Sequence, residues 1–386
     1  MVALNGRNGR NGRNGRNGRN GRNGRNGRGD LDDIFHAGGV TDFSTSQALI
    51  STMEGITAPW PIDFKKETLE FSLAPLSTES FANLETMEPF FRNHVIDNYV
   101  DRLFRPITLE RTSVLANTPD AKTLVSAEIP DQAALKTLLS DQMGVVKAHA
   151  PNRDERLEEI LLQQTDTLSF FGALTFLDDF RTPWTLALLD AVLRFATYIE
   201  MPLKHYLSAP RPIQFSPHVQ PVIPTPTHGT IPSGHALEAF AVATILHALT
   251  ETENFTQPYD ATKAFDDNGS VLFRLAERIA VNRIVAGLHF PVDNFIGATM
   301  GLAIGEYIVN VLTDKSVTGG YGIKVANFAD EDFRIVADTF EVGAPGNARG
   351  KIYRQPVTIS RGHVNMNLRE IWRRARLESV ANTSTG

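Results

Sequence analysis

The sequence contains no cysteine in 386 residues. Disulfides, zinc–thiolate sites and thiol nucleophiles are therefore excluded, while the redox environment stays open. A secretory signal is also lacking, because no apolar core follows the positively charged N-terminus. The best candidate for a membrane span, 295–312, contains Glu306 and Asn310 and follows Asp293, which favours a buried helix. We expect a soluble protein without a membrane span, cytoplasmic as far as the sequence indicates.

Positive charge is concentrated in a repeat near the N-terminus. Residues 5–28 are eight copies of Asn-Gly-Arg, and the whole chain has a net charge of −6, so the remainder stands at −14 (−6 minus 8). An acidic body of this kind disfavours nucleic acid and anionic membranes as partners. Residues 1–29 are predicted to be disordered, because the repeat has no apolar residue to bury. One interpretation is a cationic arm that binds nucleic acid or a surface, but a repeat without a specific role is favoured.

The remaining composition is that of a globular protein, with 42% hydrophobic and 21% charged residues. We predict an all-α fold in which 30–386 form a single helical domain. It is divided into an N-terminal helical part (30–200), a catalytic part (201–312) and a loop-rich C-terminal tail (313–386). Short β-like runs such as 351–359 predict a small hairpin layer in this tail.

Apolar spacing and capping residues predict individual helices. They are expected at 154–164, 184–200, 236–249, 271–285 and 295–312, with Thr182, Ser233 and Ser270 as N-caps. Gly297, Gly301 and Gly305 form a smooth stripe that permits close approach of another helix. The proline-rich segment 204–231 is predicted to be an extended loop, and a loop of that length is usually functional.

Three short segments carry the polar residues that stand out. They are KHYLSAPRP with Lys204 and Arg211, PSGH with Ser233, Gly234 and His235, and RIVAGLHFPVD with Arg283, His289 and Asp293. A helix that starts at PSGH presents unsatisfied N–H groups, which bind oxyanions. The lysine adds a point charge and the arginines add fork-shaped donors. The set therefore predicts a site for a multiply charged oxyanion such as phosphate or vanadate.

Histidines supply the reactive groups of this predicted site. His235 and His289 suit proton transfer or bonding to a central atom, because the histidine pKa lies near neutrality. Asp293, four residues after His289, could hold the other ring nitrogen and fix its tautomer. Each residue also has a simpler interpretation as a surface cation, an N-cap or a loop histidine. Their joint occurrence in order favours the site.

Together the three segments resemble the signature of the type-2 phosphatidic acid phosphatase and vanadium-dependent haloperoxidase superfamily. That signature is K-x6-RP, PSGH and SR-x5-H-x3-D, and it spans 204–293 here. One departure is Asn282, where the phosphatase pattern has serine, and this is mildly against a phosphatase. The resemblance implies a helical-bundle fold and a homo-oligomer. It also implies a bound orthovanadate or phosphate, held by Lys204, Arg211, Ser233, Gly234 and Arg283.

The resemblance further implies two alternative reactions at one site. In a haloperoxidase, His289 is the axial vanadium ligand, His235 takes a proton from hydrogen peroxide, and Lys204 polarises the bound peroxide. A halide is then oxidised to a hypohalous acid equivalent. In a soluble acid phosphatase, His289 attacks phosphorus and His235 protonates the leaving alcohol. A non-catalytic oxyanion-binding member is a further alternative.

We favour the haloperoxidase because the chain is long, with neither the several membrane spans nor the signal peptide of related phosphatases. His228, seven residues before His235, matches a histidine of bromoperoxidases where chloroperoxidases carry phenylalanine. Met201 stands where the chloroperoxidase type has tryptophan. Bromide and iodide are the expected halides, with chloride as a further candidate and small organic molecules as acceptors. A loop role for His228 stays open, and a metal hydrolase is disfavoured because no carboxylate cluster has suitable spacing.

Overall fold

The computed structural model describes residues 81–87, 89–110, 113–117, 123–250, 257–265, 270–316, 319–334, 351–355 and 364–383. The Asn-Gly-Arg repeat and the other residues of the first 80 lie outside this part of the chain.

The described residues are mostly helical, which confirms the predicted helical fold. The α-helices are α1 (Phe81–Thr86), α2 (Pro89–Asp101), α3 (Gln132–Asp141), α4 (Met143–His149), α5 (Arg153–Leu162), α6 (Leu168–Thr175), α7 (Pro183–Leu207), α8 (Pro212–Phe215), α9 (Gly234–Thr250), α10 (Val271–Val285), α11 (Pro291–Leu312) and α12 (Met366–Thr383). Short 3-10 helices lie at Ala150–Asn152, Pro217–Val219, Ala261–Phe265 and Val325–Phe328.

A small mixed sheet of five strands accompanies the helices, where the sequence predicted only a small hairpin layer in the C-terminal tail. Its strands are β1 (Arg105–Glu110), β2 (Ser113–Asn117), β3 (Thr123–Glu128), β4 (Gly320–Lys324) and β5 (Ile352–Gln355), in that spatial order. β3 and β4 are parallel, with Val125 opposite Tyr321, and the other pairs are antiparallel. Leu124, Val125 and Ala127 of β3 are buried. The sheet therefore joins the N-terminal part to the C-terminal tail.

The tail also ends in a helix rather than in loops alone. α12 packs against α7, and its Glu378 carboxylate accepts hydrogen bonds from the Trp184 and Thr185 N–H groups at 3.0 and 2.9 Å. These bonds satisfy the N-terminal donors of α7. Thr182 is the N-cap residue, as predicted, but its hydroxyl bonds Asp178 instead of capping the helix. The cap of α7 is thus supplied from a segment that is distant in sequence.

α7 is longer than the predicted 184–200 helix and continues through Pro202. Lys204 was predicted to begin an extended loop, and that placement is wrong, because it lies in the last turn of α7. A proline in a helix interior removes one backbone hydrogen bond, so it is a natural sequence signal for a helix end. The loop begins instead after Leu207, with Ser208 in the left-handed region at φ 43°.

α9 and α11 form the centre of the core, and the glycine stripe lies between them as predicted. A Cβ added at Gly297 would stand 2.3 Å from the Ser233 carbonyl oxygen, and one at Gly301 would stand 2.3 Å from that of Leu237. A Cβ at Gly305 would reach Thr244 Cβ at 2.7 Å. The contacts advance along both helices in the same direction, so the two helices are parallel and their N-termini lie at the same end.

α11 is the one described helix that is long and apolar enough to cross a membrane, with a mean hydropathy of 1.5 over its best window. All residues of that window are buried inside the protein. The core helix of a soluble protein has the same properties, which is consistent with the predicted buried helix.

Candidate active site

His289 and Asp293 lie at the start of α11, at the end that it shares with the N-terminus of α9. The His289 Nδ1 atom lies 2.9 Å from Asp293 Oδ2, and that oxygen also accepts hydrogen bonds from the Thr230 hydroxyl and the Phe290 N–H. Because a carboxylate only accepts, the proton of His289 resides on Nδ1 and the lone pair on Nε2. The pair thus presents Nε2 as a ligand or nucleophile.

Burial and neighbouring charge set the protonation of this pair. Burial, followed by the positive charges of Arg211 and Lys204, holds the pKa of His289 well below its ordinary range. Burial raises the pKa of Asp293 to about 6, against the hydrogen bonds from Thr230 and Phe290. At neutral pH the histidine is therefore neutral while the carboxylate is ionised.

Arg211 is buried and lies between two histidines. Its Nη1 atom stands 3.1 Å from His289 Nε2 and donates to the Leu288 carbonyl at 3.0 Å. Its Nη2 atom stands 3.3 Å from His228 Nδ1, and its Nε donates to the His228 carbonyl at 3.2 Å. His228 is therefore a neighbour of the site, as predicted, and its carbonyl helps to orient the guanidinium.

Lys204 reaches the same region from the last turn of α7. Its side chain is buried, and Nζ donates to the carbonyls of Gly229, Thr230 and Pro232. These carbonyls belong to the loop that leads into α9. The lysine thus places a buried positive charge directly before Ser233.

Ser233 and Arg283 are fully buried, and some of their donors have no partner among the described residues. The Ser233 hydroxyl is unpartnered, and so are Arg283 Nε and Nη1. Ser233 precedes α9, but its hydroxyl does not act as the predicted cap, and its N–H donates to the Asp293 carbonyl at 2.9 Å. Burial lowers the pKa of Arg283 to about 9. Because unpaired buried donors are costly, they indicate a ligand that accepts hydrogen bonds.

His235 lies in the first turn of α9, where Gly234 begins the helix. Its Nε2 atom is 3.0 Å from the main-chain carbonyl of Gln163, which can only accept. Nε2 therefore carries hydrogen, and Nδ1 is left with the lone pair that can take a proton. Gln163 also accepts a hydrogen bond from Arg283 Nη2 at 3.1 Å through its side-chain Oε1.

The structure brings the predicted residues to one end of α9 and α11, and their chemical roles stay predictions. Direct hydrogen bonds connect Arg211, His228, Ser233, His289 and Asp293. Lys204 is connected to Asp293 through Thr230, and Arg283 and His235 are connected through Gln163. The sequence interpretation missed Thr230 and Gln163. Thr230 lies between His228 and Ser233 in the sequence, and this position could have indicated that it belongs to the site. Nothing in the sequence relates Gln163 to site residues more than 70 positions away.

Residues 185–316 match the model of the PAP2 superfamily, about a third of the chain. The match supports this superfamily, whose members are generally enzymes, either phosphatases or haloperoxidases. It covers α7 to α11 and every predicted site residue, while Gln163 lies outside it. No curated protein matches this chain.

Proposed function

We propose that this protein is a vanadate-dependent haloperoxidase that oxidises bromide or iodide with hydrogen peroxide and halogenates organic acceptors. The observation that carries the proposal is the set of buried, unpartnered donors on Ser233 and Arg283, combined with His289 Nε2, which carries no hydrogen and accepts from Arg211 Nη1 until a ligand takes that place. An oxyanion would complete these donors, and the buried positive charges of Lys204 and Arg211 would offset its negative charge.

The donor set fits vanadate, which has the shape and charge of phosphate. Lys204, Arg211, Ser233, Gly234 and Arg283 would hold its oxygens, and His289 would bind vanadium. Bound vanadate would supply a Lewis acid that activates hydrogen peroxide toward a halide. Because vanadate is an anion, its binding would also raise the lowered pKa of Arg283.

The protein's own residues would move and hold the protons. His235 Nδ1 would accept a proton from hydrogen peroxide, because Nε2 is engaged with the Gln163 carbonyl. Asp293 and Thr230 would keep His289 in the tautomer that leaves Nε2 free of hydrogen. Lys204 would contribute a fixed positive charge beside the reacting oxygens.

His228 supports the choice of bromide. It lies next to Arg211 at the edge of the cluster, at the position where the resemblance predicts the histidine of a bromoperoxidase. Its imidazole would place a polar, partly exposed group near the entering halide. The residues proposed to hold the oxyanion, called here the oxyanion cluster, are Lys204, Arg211, Ser233, Gly234, Arg283 and His289. His228, and not this cluster, supports a bromide enzyme.

A soluble acid phosphatase is the second candidate, because the same geometry suits it. His289 Nε2, neutral and with a fixed tautomer, could attack phosphorus, and His235 could protonate the leaving alcohol. The PAP2 match fits both activities. A binding-only protein is disfavoured, since simple oxyanion binding requires neither a tautomer-locked His289 nor an oriented His235.

A pair of assays tests the proposal. Vanadate-loaded protein is given hydrogen peroxide with bromide or chloride and a dione that reports halogenation. Protein without vanadate is given an aryl phosphate. We expect peroxide-dependent bromination that exceeds chlorination, with no turnover of the phosphate ester. Ester hydrolysis without vanadate-dependent halogenation would establish the phosphatase instead.

A further inference from the structure

Gln163 is completely buried at the C-terminal end of α5, outside the segment that carries the predicted site. Two of its oxygens nevertheless reach two site residues. The side-chain Oε1 accepts from Arg283 Nη2 at 3.1 Å, and the main-chain oxygen accepts from His235 Nε2 at 3.0 Å. A single residue thus contacts both a cation of the oxyanion cluster and the predicted acid/base.

The neighbouring Asn282 fixes which way the Gln163 amide faces. Asn282 Nδ2 donates to Gln163 Oε1 and to Glu159 Oε2, both at 3.0 Å, and Asn282 Oδ1 accepts from Arg156 Nη1 at 3.1 Å. A carboxylate only accepts and a guanidinium only donates, so the Asn282 amide has one possible orientation. Gln163 must then turn its oxygen toward Asn282 and Arg283.

The series of hydrogen bonds continues outward to Arg278, which binds both carboxylate oxygens of Glu159. Arg278 also holds the pKa of Glu159 below its ordinary value through these bonds, so the carboxylate stays ionised. Serine, which the superfamily signature has at position 282, carries a single hydroxyl and lacks the reach of an amide. The asparagine therefore serves a connection that a serine could not make.

We propose that Gln163 is a positioning residue that fixes the guanidinium of Arg283 relative to His235, and that Asn282 holds the Gln163 amide in the required orientation. The inference rests on the proposed oxyanion site. With Nη2 bonded to Gln163 and to the Ile160 carbonyl at 3.3 Å, Arg283 leaves Nε and Nη1 for the ligand. Without the Gln163 oxygen, Nη2 keeps one partner and the guanidinium gains freedom to rotate.

The test uses the full chain and the substitution Gln163→Met, which keeps the length of the side chain and removes the acceptor. The dissociation constants of orthovanadate and of inorganic phosphate are measured by calorimetry. We expect both dissociation constants to rise about tenfold, which corresponds to the loss of one hydrogen bond to a charged group. Gln164→Met is the matched control, since the Gln164 amide donates to the Leu161 carbonyl within its own turn, and it should leave both constants unchanged.

A double-mutant cycle separates positioning from a general loss of structure. If Gln163 acts through Arg283, then Gln163→Met should add no further loss of affinity in an Arg283→Met background. Losses that multiply in the double variant would overturn the inference, as would unchanged affinity in Gln163→Met when the wild type binds. Either of these two outcomes would contradict only the role of Gln163 and would leave the proposed oxyanion site unaffected.

Two controls complete the experiment. A wild-type protein that binds neither oxyanion would overturn the proposed function together with this inference. Thermal unfolding checks that Gln163→Met is folded. If it is not, Asn282→Ala replaces it, with a smaller loss of affinity expected and the same dependence on Arg283. Unchanged affinity in a folded Asn282→Ala protein would then count against the inference.

Discussion

Helix α11 has a buried polar cluster near each end, and the two clusters differ in how completely their atoms are paired. Toward its C-terminus, Glu306 accepts hydrogen bonds from Arg354 Nη1 at 2.8 Å, from the Tyr321 hydroxyl at 2.9 Å and from the Ala261 N–H at 3.1 Å. Arg354 also binds Asp260 and lies 4.0 Å from the centre of the Tyr321 ring. Both oxygens of Glu306 are thus satisfied by groups that join β4, β5 and the 3-10 helix Ala261–Phe265 to α11.

The cluster at the N-terminal end is left incomplete. Ser233 Oγ, Arg283 Nε and Nη1, and Asp293 Oδ1 have no partner among the described residues. Both clusters contain a buried carboxylate and an arginine, although Arg354 and Asp260 are only half-buried and line a cavity together with Glu306. The presence of buried charge therefore does not by itself distinguish a binding site from a structural network. The described residues contain other unpaired buried donors, such as Arg92 Nε, so the unpaired donors of Ser233 and Arg283 support a ligand site only together with the neighbouring His289–Asp293 pair.

Replacing His289 by alanine should have the largest effect. We expect turnover to fall by about 10³-fold or more, because the group that bonds to the central atom is lost. Vanadate should no longer be retained, while the unfolding midpoint changes little. Halogenation, ester hydrolysis and bound vanadium are measured, with the exposed His218→Ala as the control. If both turnover and vanadate binding survived in His289→Ala, the incomplete cluster would not be the active site.

The two arginines test the comparison directly. Arg354→Met leaves Glu306 buried without its ion pair, so the free energy of unfolding should fall by about 3–5 kcal/mol with oxyanion affinity unchanged. Arg283→Met removes a buried cation with unpaired donors, so stability should be kept while oxyanion affinity falls roughly 10- to 100-fold. Urea unfolding and calorimetry measure the two quantities. If both substitutions lowered the same quantity, the distinction between the clusters would be lost.

The pH dependence should also differ between the clusters. Burial raises the pKa of Asp293 to about 6 and raises that of Glu306 above its ordinary value. Only Asp293 contacts His289, the proposed ligand or nucleophile. Activity should therefore decline as the pH falls below about 6, when the Asp293 carboxyl takes up a proton and no longer holds His289. A pH–rate profile measures this decline.

The contribution of Asp293 to stability should change with pH in the direction opposite to its effect on activity. Its folded pKa lies above the ordinary value of 3.8, so the contribution is present below about pH 4 and is lost as the pH rises to about 6. Asp293→Asn should remove the acid decline in activity, whereas Glu306→Gln should keep it. If activity still declined below about pH 6 in Asp293→Asn, the decline would have to arise from the titration of another group.

The smallest effect is expected at the edge of the incomplete cluster. His228→Phe should shift the ratio of bromination to chlorination by a few-fold, because it replaces a polar ring beside Arg211 with an apolar one. Oxyanion affinity should change little, since Arg211 also donates hydrogen bonds to the main-chain carbonyls of residues 228 and 288. The ratio is measured with both halides in competition, and His218→Phe is the control. An unchanged ratio would leave His228 as a loop histidine.

Local signals made part of this structure predictable. Ser270 accepts a hydrogen bond from the Leu272 N–H and caps α10, which ends at Val285 as expected. The residues of the three motif segments could be assigned to one site because the spacing within each segment matches the superfamily signature. Lys204 was placed in a loop because it was counted with the proline-rich segment 204–231, although packing around α7 carries the helix past Pro202 to Leu207. Tertiary burial here outweighed local propensity.

Other features depend on contacts that no local pattern contains. The short strand β3 pairs with β4, almost 200 residues later in the chain, so its partner was not evident. Gln163 contributes a main-chain carbonyl and an amide, which carry no sequence motif. The incompleteness of the oxyanion cluster was also invisible, because it is a property of hydrogen bonds in three dimensions.

The three glycines between α9 and α11 have a consequence for the accuracy of the chemistry. Because the helices are parallel and in backbone contact, their relative register sets the position of Ser233 against Asp293. A shift of one residue along an α-helix is about 1.5 Å, enough to break the 2.9 Å hydrogen bond between them. The geometry of the candidate site thus depends on residues without side chains, the farthest of which, Gly305, lies about three helical turns from Asp293.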